Sequence, residues 1–312
     1  MTESFSESRV TGPRIWAIGG GKGGVGKSVI AANIAASIAK GDQSVALVDA
    51  DLGGANLHTL LGIPSPKVNL ADFISKKVSS MGEVLTATPI ENVWLVSGAK
   101  ALVEMANPNF GQKRKILRHL RSLDVDHVVL DLGAGTSFNV LDFFLSARKG
   151  VLVVVPEPTS IENAYHFLKA TFFRKLKRAE PRAQVRAAIE EVMKGSARSE
   201  VKTPKDLISR VWSVDPDVGA ALDAEASSFR PGLIVNRVDH PSHERLGEDM
   251  VSACRDYFGI RLQFLGSLPD DKLVGRSVVE QKPAAQHFPQ IPFVNAMRGV
   301  VGNLTYARPR AS

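Results

Sequence analysis

The chain has 312 residues, 44% hydrophobic and 23% charged, globular proportions that exclude intrinsic disorder and suffice for one large core or two modest ones. Its 39 Lys and Arg against 32 Asp and Glu give a formal net charge of +7. A single cysteine, Cys254, excludes an intrachain disulfide and a CxxC metal or cluster site, and fits a reducing compartment.

Residues 1–13 are polar, lack periodicity and end in Gly-Pro, which predicts a loose arm. The arm has no hydrophobic stretch of signal-peptide type, and no apolar run approaches the roughly 20 residues that span a bilayer, so cytosolic placement is expected. Arg14 to Gly19 predicts a first strand running into GGKGGVGKS. Ser28 to Lys40 has helical apolar spacing, with Gly41 as a stop. A second strand begins at Ser44 and ends in the acids Asp49 and Asp51. Further strands are expected at Val93 to Ser97, Asp126 to Leu130, Val151 to Val155, Gly232 to Asn236 and Leu262 to Leu265, with helices at Gln112 to Leu123 and Phe138 to Arg148. Seven strands separated by helices predict an α/β fold with a doubly wound, mostly parallel sheet.

Charge is unevenly placed. Between residues 169 and 210 there are 12 Lys or Arg and five acids, while the remaining 27 basic and 27 acidic residues cancel. This basic helical insertion, at about 169–230, reads either as a solubilising excursion or as a face for an acidic protein, lipid headgroups or nucleic acid. Phe172, Phe173 and Leu176, interleaved with its basic residues, suit packing on their own domain or docking of a helix or membrane surface. His166 is expected at the core edge of the same helix.

Gly21, followed by Gly26-Lys27-Ser28, matches G-x-x-x-x-G-K-[ST] between a predicted strand and a predicted helix. Such a loop curls so that backbone N–H groups meet phosphate oxygens at a helix N-terminus. Gly21, Gly23, Gly24, Val25, Gly26, Lys27, Ser28 and Val29 are thus candidate phosphate contacts, with Lys27 on the β- and γ-phosphates and Ser28 a Mg²⁺ ligand. A glycine turn without ligand, or a dinucleotide fingerprint on Gly19, Gly21 and Gly24, is the competing reading; Lys27-Ser28 is superfluous to both. Lys22 lies too early in the loop to duplicate Lys27. It reads as a surface lysine or as a group reaching the phosphates of a facing subunit, as an arginine finger does. Alternation puts Asp49 and Asp51 on one face of their strand: Asp51 is the candidate for orienting attacking water, Asp49 for tuning the metal shell, and Asp131 for holding Mg²⁺ through water. Asp49 and Asp131 also suit helix capping. Gly133 to Gly135 could move as a γ-phosphate contact is gained or lost.

These residues resemble the ParA/MinD family of P-loop ATPases, the deviant Walker A group, through GGKGGVGKS at 20–28, VDADLGGANLHTLLG at 48–62, VVLDLGAG at 128–135, VVPEPTSIENAY at 154–165, IVNRV at 234–238 and LGSLPDD at 265–271. DLGGANLHTLLG and LPDDKLVGRSVVEQKP are most similar to its FlhG/FleN-like branch. The resemblance implies one P-loop domain over 14–312, a face-to-face dimer formed with ATP and Mg²⁺ and released by slow hydrolysis, Lys22 reaching across it, and Asp51 orienting water. It also implies that Asn236 and Pro269, Asp270 and Asp271 lie against adenine. The expected role is to position or regulate a flagellar, polar or cell-division assembly, with recruitment to a pole or membrane-associated site through a partner.

Three departures stand out. The segment from Val294 to Leu304 runs into YARPRAS, whose Pro309 ends any helix, where membrane-attached members carry a basic amphipathic helix, so stable membrane insertion is not expected. TESFSESRV lacks the Asp-Gln-Ala start of the flagellar branch's activating segment. The basic insertion exceeds what a compact member needs and suggests a protein partner. A DNA-partition ATPase stays open because the insertion could supply a basic array, as does a nucleotide-binding interaction module with little catalysis. Iron–sulfur relatives are excluded by Cys254, whose setting suggests a structural thiol. His240 and His243 read as surface residues of a polar loop.

Overall fold

The structure, a computed structural model, describes residues 12–51, 54–98, 108–179, 182 and 204–306. The arm at 1–11, the basic stretch at 180–181 and 183–203, and the tail at 307–312 lie outside the described residues.

The chain forms one eight-stranded sheet from β1 Arg14–Gly19, β2 Val45–Asp49, β3 Leu85–Ala87, β4 Val93–Val96, β5 His127–Asp131, β6 Lys149–Val154, β7 Gly232–Val238 and β8 Gln263–Pro269. Their spatial order is β3-β4-β2-β5-β1-β6-β7-β8. All neighbours run parallel except β3, which pairs antiparallel with β4. The doubly wound expectation is met, with one correction: β3 is an eighth strand. Three residues, only partly buried on a sheet edge, are too few to show alternation.

The helices are α1 Lys27–Ala39, α2 Leu57–Leu60, α3 Leu70–Ile74, α4 Phe110–Leu120, α5 Phe138–Ser146, α6 Pro158–Ala179, α7 Pro204–Val214, α8 Pro216–Ser228, α9 Leu246–Phe258, α10 Lys272–Val279, α11 Ala284–His287 and α12 Pro292–Thr305. Strand alternation sorts the core into two layers. Trp16, Ile18, Val45 and Leu47 pack with α1, α11 and α12. Ile15, Ala17, Ala46 and Val48 pack with α3 to α9 on the other face.

Local chemistry sets several boundaries. Asn109 and Gln112 form a reciprocal capping box, at 3.0 and 2.7 Å, so α4 starts at Phe110, ahead of the expected Gln112. Ala147 turns extended at ψ 155°, stopping α5 and freeing Lys149 to open β6. The helix carrying Lys169 already begins at Pro158, and Phe172, Phe173 and Leu176 are fully buried on their own domain. Asp142 on α5 is buried among Lys113 Nζ of α4 at 2.6 Å and Arg174 Nε of α6 at 2.9 Å, which ties the three helices together. His166 is exposed, 68% of its side chain, and not at the core edge: the apolar stripe of α6 runs through Ala164, Phe167 and Leu168, leaving position 166 on the far face.

Cys254 is fully buried, with its thiol pushed up to about 12 by burial, as a structural residue should be. His240 lies exposed and His243 half-buried, the latter pairing with Asp239 at 3.0 Å. α12 spends Phe293, Val294, Met297, Val300 and Leu304 on the core. No described helix is long and apolar enough to cross a membrane.

Two tests follow from the core. Phe167, fully buried edge-on to Phe144 with centroids 5.0 Å apart, backs the strand end at Gly19. Phe167→Ala should cost about 3–5 kcal/mol in urea denaturation; a loss under about 1 kcal/mol would contradict this packing. At the opposite strand ends, Trp16 Nε1 donates to His127 Nδ1 at 2.8 Å, and burial followed by Arg14 depresses His127 to about 4. Folding therefore favours the neutral ring, the unfolded chain holds more protons between about pH 4 and 6.5, and stability falls on acidification through that window. His127→Gln should remove up to about one proton of that slope, read by denaturation across the pH series. An unchanged slope would refute the assignment.

Candidate functional site

β1 delivers the glycine-rich loop to the carboxyl edge of the sheet, where α1 begins at Lys27. Gly26 adopts φ +93°, and a Cβ there would stand 2.6 Å from Asn236 Nδ2; at Gly21 a Cβ would strike the Asn163 carbonyl oxygen at 2.1 Å. Only glycine permits these approaches. Asn236 Nδ2 donates to the Val25 carbonyl at 2.9 Å, so β7 braces the loop from one side and α6 from another.

Lys27 is 8% exposed and donates from Nζ to the Lys22 carbonyl at 3.2 Å. Burial lowers its pKa, while Asp131 and Asp51 pull it back up. Asp49 and Asp131 are register partners at the ends of β2 and β5, at 1% and 3% exposure. Burial pushes Asp131 up to about 7, with Asp49 and Asp51 adding to the rise and hydrogen bonding from Ser28 and the charge on Lys27 opposing it. Asp49 is pushed up to about 6, again mainly by burial.

The two carboxyls differ in employment. Asp49 accepts from Asp51 N at 3.2 Å and from Leu57 N at 3.0 Å, so one oxygen holds the backbone just after β2 and the other the start of α2. Asp131 Oδ1 is buried with no hydrogen-bond partner. An orphaned carboxylate oxygen beside the Ser28 hydroxyl fits a hard divalent cation such as Mg²⁺. Among the described residues no group of three or more His, Cys, Asp or Glu could hold a metal ion. Asp51 lies over the switch-like loop after β5: a Cβ at Gly133 would come within 3.0 Å of its Oδ1. Gly135, at φ +89°, donates its N–H to the Gly20 carbonyl at 3.3 Å.

Lys22 Nζ is engaged within the chain, 2.9 Å from Glu157 Oε2 and 2.9 Å from Thr159 Oγ1. Neither partner was anticipated from the sequence; the only signal was their place in VVPEPTSIENAY. Asn236, Pro269, Asp270 and Asp271 do converge, lining a cavity of about 320 Å³ together with Gly26 and Val29. Arg237, Val274, Val278 and Phe293 also line it and were missed, although Val274 and Val278 have i, i+4 helical spacing. Asp271 Oδ1 is engaged by Leu273 N at 2.9 Å as the cap of α10.

Comparison with known proteins bears on this arrangement. A model of the CobQ/CobB/MinD/ParA nucleotide binding domain matches residues 16–284. The antiactivator FleN of Pseudomonas aeruginosa is 36% identical over 158 residues, 50% of this chain and 55% of that protein. The flagellum site-determining protein YlxH of Helicobacter pylori is 32% identical over 162 residues, 49% and 52% respectively. The matched segment thus spans about half the length of these curated relatives. Among solved structures, the septum site-determining protein MinD of Pyrococcus horikoshii complexed with Mg-ADP superposes with TM-score 0.63 at 20% identity, covering 94% of this chain and 96% of that one. A ParA family ATPase of Chlorobium tepidum gives 0.63 at 17%, covering 94% and 99%.

The raised carboxyls give a test. Because folding lifts Asp131 from an ordinary carboxyl value to about 7, the native state holds the extra proton, and ligand-free stability falls as pH rises from about 4 through 7. Asp131→Asn should therefore gain stability relative to the parent at pH 8 more than at pH 5, in thermal melts with EDTA. An equal difference at both pH values would contradict the buried, cation-seeking carboxyl.

Proposed function

From the premise that the chain belongs to the CobQ/CobB/MinD/ParA nucleotide-binding family, we propose that it is a slow Mg²⁺-dependent ATPase whose ATP-bound form is a homodimer that positions or regulates a cellular assembly of flagellar, polar or cell-division type. The observation that carries this reading is the buried Lys27, set in a glycine loop at the head of α1 with Asp131 and Asp51 in its field. The relatives named for flagellum and septum site determination support the cellular role.

In this reading the loop N–H groups and the α1 N-terminus bind phosphate oxygens. Lys27 leaves the Lys22 carbonyl for the β- and γ-phosphates. Ser28 and Asp131 hold Mg²⁺, which supplies neutralisation of phosphate charge when bound. Asp51, above Gly133, orients water toward the γ-phosphate. The cavity at Asn236 and Pro269 to Asp271 receives the base, with Val274 and Val278 as its apolar wall. Lys22 exchanges Glu157 and Thr159 for the phosphates of the facing subunit. Soluble, partner-recruited placement accompanies this role, and the basic segment after residue 169 is its contact surface for a protein partner.

Light scattering with ATP and with ADP, beside steady-state hydrolysis, tests the proposal. Lys27→Ala should weaken nucleotide binding ~10–100-fold, the worth of a hydrogen bond from a charged group. Asp51→Ala should bind ATP, hydrolyse it at least roughly 100-fold more slowly and accumulate as dimer. Lys22→Ala should bind ATP and stay monomeric. Wild-type turnover in Asp51→Ala would remove its water-orienting role, and an ATP-loaded parent that remains monomeric would overturn the switch. ATP-dependent, salt-sensitive retention on DNA would favour a partition-type role instead.

A further inference from the structure

We propose that the end of the sheet opposite the nucleotide carries a second anion site, formed by Arg14, Arg121 and Arg148, that takes a small phosphate-bearing ligand. The three arginines line a cavity of about 310 Å³, a size at the lower end of the range for small-molecule sites. Arg14 opens β1, Arg121 follows α4 and Arg148 precedes β6, and the parallel register places these starts side by side, Trp16 opposite Lys149 and Arg14 opposite His127. The site lies roughly 17 Å from the glycine loop along β1, so it is distinct from the nucleotide pocket; only its test, run with ADP held in that pocket, rests on the nucleotide binding proposed above.

The walls are held in place. Arg148 N donates to the Ile15 carbonyl at 2.9 Å, and Arg121 Nη2 donates to the Ser146 carbonyl at 3.2 Å. Gly12, at φ +116°, comes so close to α4 that a Cβ would stand 2.8 Å from the Arg121 carbonyl oxygen, which fixes the rim. Among the described residues no acid lines the cavity, and the nearby Asp126 turns its carboxylate to the N–H and hydroxyl of Ser44, each at 2.8 Å. The positive field reaches neighbouring groups: Lys149 is depressed by burial and then by Arg148 and Arg230.

Guanidinium forks match phosphate oxygens two at a time, and three of them around one hollow balance the charge of a diphosphate or a phosphorylated headgroup. A cationic ligand would meet like charge here, while Pro13, Ile15 and Ala147 give the hollow an apolar floor. The shared chemistry admits two sources, a free phosphorylated molecule or the headgroup of an anionic lipid.

The full chain, saturated with ADP, should be titrated with inorganic pyrophosphate by calorimetry, and floated in parallel with phosphatidylcholine vesicles containing phosphatidylglycerol. Saturable pyrophosphate binding that weakens about 10-fold or more in the Arg14→Ala/Arg148→Ala variant, with ADP affinity unchanged as the control for folding, supports the site with a free ligand. Vesicle flotation abolished by the same double substitution supports it with a lipid source. Failure to bind either probe, or binding undiminished by the substitutions, overturns it.

Discussion

One buried ammonium among buried carboxyls organises the carboxyl edge of this sheet. Lys27, Asp49 and Asp131 are each under one-tenth exposed, and ionised groups at such depth persist only when compensated. Parallel pairing of β2 with β5 puts Asp49 opposite Asp131; desolvation raises both, with Asp51 adding to the rise at Asp49 and Asp49 and Asp51 adding to it at Asp131. Lys27 is one charge against three neighbouring acids, counting Asp51. The cluster therefore favours additional positive charge, and the carboxyl with an uncommitted oxygen, Asp131, is where such charge is best received. Asp49 takes a backbone N–H on each oxygen and so also braces the chain.

The glycine loop gains its fixed shape from braces on several elements. Asn236 of β7 reaches Val25, the α6 backbone presses on Gly21, and Gly135 after β5 donates to Gly20. The missing Cβ at Gly21 and Gly26 allows the first two approaches, and Gly135 supplies the positive φ of the third, so sequence glycines and tertiary contacts specify the same conformation, the kind of agreement between levels that yields a single native state. The loop after β5 touches both Gly20 and Asp51, so a displacement there reaches the loop and the carboxylate together.

What could be read from the chain alone follows a physical division. The strand, loop and helix at 14–40 were legible because a strict glycine pattern and two periodicities coincide there. β3 was not, since three half-buried edge residues carry no period. His166 was misassigned because a basic, aromatic-rich stretch hides the phase of α6, which buried Phe167 and Leu168 reveal. Lys22 was recognised as unusual, but its partners Glu157 and Thr159 lie more than 130 positions away. Only the pairing of β1 with β6, Gly19 opposite Leu152, brings those two strand exits together. The three arginines at the opposite end escaped notice for the same reason: they begin or precede different elements, and adjacency of strand starts is a property of the sheet order.

The energetics of the Lys22 contact bear on how the proposed dimer would be governed. The Lys22 and Glu157 side chains are 38% and 52% exposed, and an ion pair so open to water contributes about 0–1 kcal/mol. A hydrogen bond from an ammonium to a phosphate oxygen in a closed interface is worth about 1.5–3 kcal/mol. Exchange is therefore downhill once facing phosphates are within reach, and the intrasubunit contact acts as a threshold and not as a lock. Its second function is positional: with Thr159 also accepting, Lys22 is held at the rim of the loop, away from the Asp131 and Asp51 field that Lys27 occupies.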